Sequence, residues 1–142
     1  MPILNPQDTE FLKKEFSEKL KQNVKLIFFK SEKDCLYCKE AKGLLSEIAS
    51  LSDKISIIEH DFDGDREIVE KYKIKRAPGT VIEGEVDYGL RFYGLPAGHE
   101  FMTLIHAIIN VSSKTIALSE KTKEKLKEIT RPFTIQVFVT PT

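Results

Sequence analysis

Cys35 and Cys38 are the only cysteines in this 142-residue chain, and they fall between two segments of opposite character. Before them runs Val24-Lys25-Leu26-Ile27-Phe28-Phe29, a short apolar stretch of β-forming residues that reads as a buried strand. After them Ala41, Leu44, Leu45, Ile48 and Ala49 recur at helical spacing, with Lys39, Lys42 and Glu47 off that face. The cysteines therefore mark a strand-to-helix junction. With the helix read from Cys35 onward, residues three apart share a face and their sulfurs can approach and bond. A loop this short gains only about 2 kcal/mol from chain entropy, against about 4.7 kcal/mol for a hundred residues. Such a bond is a poor staple and is suited to opening and closing.

The rest of the chain repeats the alternation. Residues 6–20 read as a helix, with Pro6 in its first turn and Phe11, Leu12, Phe16 and Leu20 near helical spacing. Residues 55–61 read as a strand carried by Ile55, Ile57 and Ile58. Asp63-Gly64-Asp65 is a turn, and Asp65 is placed to cap a short helix over 66–72. Short links between β and α elements predict a parallel βαβ unit. Beyond Ala77-Pro78-Gly79 the pattern changes to a hairpin, with strands at 80–83 and 88–93 joined through Gly84. Residues 99–111 then form a strongly apolar helix. Another helix starts at Ser119, with Leu126 and Ile129 as its apolar side. The order is α-βαβα-ββα-α without a long linker, and length alone favours one domain.

Three chemistries compete at Cys35-Leu36-Tyr37-Cys38. The first is a redox dithiol. The first cysteine lies where a helix N-terminus leaves N–H groups unpaired and its dipole is positive, which favours thiolate. Lys33 and Lys39 add positive charge there, and Asp34 either opposes them or caps the helix. The second is half of a metal site completed by His60, His99, His106 or another chain, since structural zinc takes four ligands. The third is a pair of cysteines simply buried in a helix.

Composition narrows the partners. Lys+Arg and Asp+Glu are each 22, so no basic excess points to nucleic acid or an anionic membrane. The run Lys121, Lys123, Lys125, Lys127 reads as a solvated helix face. No apolar stretch approaches the roughly 18–20 residues of a membrane span, and the N-terminal residues lack a signal-peptide core. The cytoplasm is the expected compartment. Two cysteines exclude a disulfide framework and a four-thiolate zinc site within one chain.

The strand, the Cys-x-x-Cys, Ala77-Pro78, the hairpin and the terminal helix resemble a thioredoxin or glutaredoxin fold. Val24-Lys25-Leu26-Ile27, Arg76-Ala77-Pro78 and Phe92-Tyr93-Gly94-Leu95-Pro96-Ala97-Gly98-His99-Glu100-Phe101 extend the match. They resemble the N-terminal half of archaeal-type protein disulfide oxidoreductases, which carry two tandem thioredoxin-fold units, each with its own Cys-x-x-Cys. The resemblance covers essentially the whole chain. It implies an α/β thioredoxin-like fold, a central mixed sheet flanked by helices with an additional N-terminal helix, over residues 1–133. Phe133-Thr134-Ile135-Gln136-Val137-Phe138-Val139-Thr140 is similar to the strand that leads into Cys35. Residues 134–142 are accordingly expected to be the first strand of a second unit. That strand would pair with this unit's own sheet edge or with another chain as a strand-mediated homodimer.

The resemblance also implies roles. Cys35 corresponds to an exposed nucleophile and Cys38 to a buried resolving thiol. Pro78 corresponds to a cis-proline facing the dithiol, and Ala77 to the residue whose backbone receives an extended substrate peptide. Gly94 corresponds to a glycine lining the cleft, and Tyr37 either shields the thiolate or packs. The implied activity is thiol–disulfide exchange with protein substrates, fed by a thioredoxin-reductase-like donor, with no cofactor and no metal. The alternative is a docking module of a two-unit oxidoreductase with little turnover of its own. The sequence departs from the pattern in three ways. Leu36 stands where glutaredoxins have proline. Phe28 and Phe29 occupy the run where thioredoxins place a buried acid, leaving Glu32, Asp34, Glu40 and Asp61 as candidates. The glycine-aspartate clamp for glutathione is missing after Pro78.

Overall fold

A computed structural model describes residues 2–140. The elements run α1 (Pro6–Lys19), β1 (Val24–Lys30), α2 (Cys38–Ser50), β2 (Ile55–Asp61), α3 (Arg66–Lys71), β3 (Gly79–Glu83), β4 (Asp87–Tyr93), a 3-10 turn (Gly98–Glu100), α4 (Phe101–Ser113) and α5 (Glu120–Leu126). The sheet order is β2-β1-β3-β4. β1 pairs in parallel with β2 and antiparallel with β3, and β4 closes the hairpin on β3. This is the mixed thioredoxin-like sheet, with the extra N-terminal helix in place.

The unbroken apolar run of β1 follows from its position between two neighbours with both faces covered. Leu26 and Phe28 face a layer built from α1, α2 and α4, where Leu12, Phe16, Leu44, Leu45, Ile48, Leu104, Ile105 and Ile108 meet Ile82. Ile27 and Phe29 face the opposite side and pack with Val69, Tyr72, Ile74 and Val81.

The helix ends show why the chain turns where it does. Asn5 caps α1 by accepting from the Asp8 N–H, with Pro6 in the first turn. Glu47 of α2 accepts from the backbone N–H of Ile3 and Leu4 at 2.6 and 2.8 Å, which ties the N-terminal arm to α2. Buried Ser112, near the end of α4, accepts from the N–H of Lys21 and Gln22 and donates to the Gln22 carbonyl. Asp65 stands at the N-cap of α3 but makes no capping bond; its carboxylate accepts from the Asp61 N–H at 2.8 Å.

Three expectations are corrected. α2 begins at Cys38 rather than Cys35, because Tyr37 at φ 70° lies in the left-handed region and cannot continue a right-handed helix backward. Leu126 and Ile129 do not form a packed side of α5; both are exposed, and no residue of α5 is buried. Among the described residues, none after Ser112 is buried. Residues 132–140 form neither helix nor strand, so the apolar segment does not pair with this unit's sheet. Pro141 and Thr142, the rest of that expected strand, lie outside the described residues. No helix among the described residues is long and apolar enough to cross a membrane.

Candidate active site

The connection from β1 to α2 leaves the C-terminal end of the central strand and carries Cys35 in a turn ahead of the helix. Cys35 and Cys38 are disulfide-bonded, with Cα atoms 5.5 Å apart. No side chain caps α2, so its first-turn N–H groups take no side-chain capping partner beside the disulfide. Both cysteines are half-buried. The expected contrast of an exposed Cys35 and a fully buried Cys38 is therefore weaker in the disulfide form. The two sulfurs differ in support instead: Cys38 sits on the helix and packs against the larger core, and Cys35 sits on the loop.

The neighbouring wall is the loop into β3. Its Ala77–Pro78 peptide bond is cis. No hydrogen bond within the described residues engages the Ala77 backbone. The Pro78 carbonyl accepts from the Gly94 N–H at 2.9 Å, which ties this loop to the end of β4. Gly94 has φ 85°, and a Cβ there would meet nothing within 4 Å. The glycine serves the backbone conformation, and the space beside it belongs to the cleft. Gly79 has a different reason: a Cβ would come within 3.0 Å of the Arg76 carbonyl.

These pieces border one cavity of about 1040 Å³, with Leu36 on the dithiol side and Ala77, Pro78, Tyr93 and Gly94 opposite. Leu36 is 72% exposed and Tyr37 48%. Tyr37 therefore shields little, and its clearest structural role is the left-handed turn that starts α2. Residues 133–139 border the same cavity.

Several residues around this cavity belong to no sequence motif but form a connected set. The Tyr93 hydroxyl accepts from the Lys75 N–H at 3.2 Å, and the Arg76 guanidinium lies 5.1 Å from the Tyr93 ring centre. Arg91 holds Asp87 through two hydrogen bonds of 2.8 and 2.6 Å and donates to the Tyr72 carbonyl at 3.0 Å. Arg91 holds the Asp87 carboxyl below its ordinary range. Burial, reinforced by Glu83, pushes the Tyr72 hydroxyl up to about 12. Burial also raises Glu100 at the cavity border. The signal was readable: residues 71–75 alternate Lys, Tyr, Lys, Ile, Lys, with apolar positions inward and cations outward, and Arg76 follows.

The other candidates are placed elsewhere. Glu32 pairs with Lys30 at 3.2 Å, and Asp61 accepts from the Asp63 N–H at 3.1 Å. His60 contacts Asp65 at 3.4 Å and stacks near Phe29, and His99 and His106 are exposed. Among the described residues no group of three or more His, Cys, Asp or Glu side chains is arranged to hold a metal ion.

This sheet order, a Cys-x-x-Cys at the β1–α2 junction and a cis-proline ahead of β3 define a thioredoxin-like unit. Comparison with known proteins agrees. The chain is 30% identical over 125 residues to the alkyl hydroperoxide reductase protein AhpF of Pseudomonas aeruginosa, covering 88% of this chain and 22% of that protein. It is 31% identical over 106 residues to a Bacillus subtilis protein named NADH dehydrogenase, covering 73% of this chain and 18% of the relative. The chain thus spans about a fifth of these relatives' length. Among solved structures it matches the NTD_N/C domain of the Enterococcus faecalis alkylhydroperoxide reductase AhpF, with TM-score 0.78 and 27% identity, over 87% of this chain and 59% of that one. It shares the fold of a protein disulfide oxidoreductase from Aeropyrum pernix, with TM-score 0.75 and 22% identity, over 87% and 54% of the two chains. No protein-family model matches the chain.

Proposed function

We propose that this unit exchanges disulfides with protein substrates through Cys35 and Cys38. The Cys35 thiolate attacks a substrate disulfide, forms a mixed disulfide and releases one substrate thiolate. The Cys38 thiolate then attacks the Cys35 sulfur, closes the Cys35–Cys38 bond and releases the second. Two electrons pass from the dithiol to one substrate disulfide, and the reverse sequence oxidises a substrate dithiol. An extended substrate segment lies along Ala77 and Pro78, with Gly94 leaving room beside it. The observation that carries this reading is the Cys35–Cys38 disulfide at the β1–α2 junction, whose intervening Leu36 borders the same cavity as the cis Ala77–Pro78 loop, with the Ala77 backbone unengaged.

The test is trapping. Cys38→Ser protein accumulates a mixed disulfide at Cys35, and Cys35→Ser accumulates little. Equal trapping by both variants removes the nucleophile assignment. Reduced Cys35 alkylates as a thiolate with an apparent pKa below the ~8.5 of a free thiol, because α2 presents an uncapped N-terminus to it; a value at or above that overturns the activation argument.

A second reading concerns the larger molecule. The chain spans 59% and 54% of the two solved neighbours named above, which favours one unit of a longer two-unit protein. In that setting residues 134–142 begin the second unit. The support is exposure: Ile135, Val137 and Phe138 are 75–82% exposed apolar side chains that another unit, or a second copy of this chain, would cover. The electron donor is then a reductase-like protein unit, and the compartment is the cytoplasm. In this setting the unit docks substrate or reductase for a second dithiol.

A further inference from the structure

We infer that the rim of this cleft selects substrates whose reactive disulfide is flanked by acidic residues. This rests on the exchange reading above and adds the substrate's charge.

The argument starts from a local asymmetry in a neutral chain. Positive and negative residues are equal at 22 each over the whole sequence. Yet four of the six residues at 71–76 are cations, and none of the six is acidic. The fold turns this stretch into a one-sided display. Tyr72 and Ile74 are buried in the α3-side core, so Lys71, Lys73 and Lys75 project outward, and Arg76 is exposed beside them. All four border the cavity, immediately ahead of the cis Ala77–Pro78 bond.

These charges are not neutralised by their surroundings. None of the four forms an ion pair among the described residues: Arg76 lies against the Tyr93 ring and Lys71 against the Tyr72 ring. The nearest acids in sequence, Glu67 and Glu70, lie on α3 outside the cavity border. Two acids do border it. Asp87 is committed to Arg91, and Glu100 is half-buried and forms no ion pair with any of the four among the described residues. The segment 132–140 that also flanks the cavity contains no charged residue. On the dithiol side, Lys33 and Lys39 mix with Glu32, Asp34 and Glu40, and only Leu36 reaches the cavity border.

A peptide docking along Ala77 and Pro78 therefore runs past four unpaired cations. Side chains of Asp or Glu within a few residues of its cysteine gain Coulomb attraction during encounter and in the mixed disulfide. Lys or Arg there is repelled. The lysines are exposed, so the effect acts mainly on association rate and is sensitive to salt.

The experiment compares two peptides that carry the same disulfide, one flanked by Asp and Glu and the other by Lys. The full chain is reduced beforehand, and the second-order rate of peptide reduction is measured. The acidic peptide reacts about tenfold faster at low salt. The ratio falls toward one as ionic strength rises from about 0.01 M to about 1 M, over which the screening length drops from about 30 Å to about 3 Å. Lys73→Glu/Lys75→Glu lowers the ratio below one. Lys13→Glu/Lys14→Glu on α1, which changes net charge equally at residues outside the cavity border, shifts the ratio much less than the rim pair does, because its charges lie away from the docking segment. Equal rates for both peptides in the native chain overturn the inference, as does an equal ratio change in both double variants. Reduction of neither peptide overturns the exchange reading itself.

Discussion

Tyr37 and Gly94 both hold positive φ, at 70° and 85°, one at the start of α2 and one at the end of β4. Only one of them is glycine, and the difference yields a paired prediction. Gly94→Ala introduces a Cβ with nothing in its way but with left-handed strain, costing about 1–2 kcal/mol in denaturant unfolding. If residue 94 also borders docked substrate, peptide exchange by this variant slows beyond what its stability explains. Tyr37→Gly relieves the same strain and is neutral to stabilising by about 1 kcal/mol; a large loss would show that the exposed ring matters to packing. A third residue sets an acid limit. The Asp87 carboxyl titrates below the usual ~3.9 because Arg91 holds its charged form. Its stabilising contribution is therefore fully present above the ordinary carboxylate pKa and is lost as pH falls through the depressed one. Asp87→Asn removes up to about 1 kcal/mol at neutral pH and flattens the acid limb of the stability curve; an unchanged acid limb would show that the pair contributes nothing.

At the scale of elements, helix starts and strand ends were legible to within a residue or so where a side chain set them. Asn5-Pro6 opens α1 and Ser119 opens α5, both with capping hydrogen bonds. The start of α2 was misplaced because Tyr37 carries no sequence mark of a left-handed turn. The link between α4 and the α1–β1 connection was also invisible, since it is made by one serine 90 or 91 residues away from its partners. Ser112 is 1% exposed, so Ser112→Ala removes the partner of the Lys21 N–H and of the Gln22 carbonyl, while the Gln22 N–H keeps its bond to the Ser112 carbonyl. The expected cost is about 1–3 kcal/mol, measurable as a lowered denaturant midpoint without a change in slope. Leu45→Ala, at 0% exposure between α2 and the sheet, costs about 2–5 kcal/mol and loosens the helix that carries Cys38.

For the whole molecule, the boundary of the packed unit matters most. Deleting residues 134–142 removes no buried residue among those described, so folding free energy should change by less than about 0.5 kcal/mol. The deletion should instead reduce self-association or surface adsorption, because it removes four apolar side chains that are 52–82% exposed. A destabilised core would show that the segment packs on the cleft in solution. Unchanged stability and unchanged association together would remove the physical support for a cover by a second unit or second copy.

The sequence by itself determined the order of elements, the parallel βαβ unit and the hairpin, the dithiol and the buried first strand. Each is written in local periodicity or in residue types that permit few alternatives: a run apolar on both faces belongs between neighbours, and a Cys-x-x-Cys belongs at a turn. Tertiary structure alone decided three things. It set the left-handed turn at Tyr37, because that conformation is imposed by the disulfide loop and the helix together rather than by tyrosine. It left Leu126 and Ile129 outside the core, because burial needs an opposing surface and none faces α5. It also assembled Lys71, Lys73, Lys75 and Arg76 beside Ala77 and Pro78. Their spacing was readable, but their common side and their lack of acidic partners depend on where β4 and α3 place every other charge.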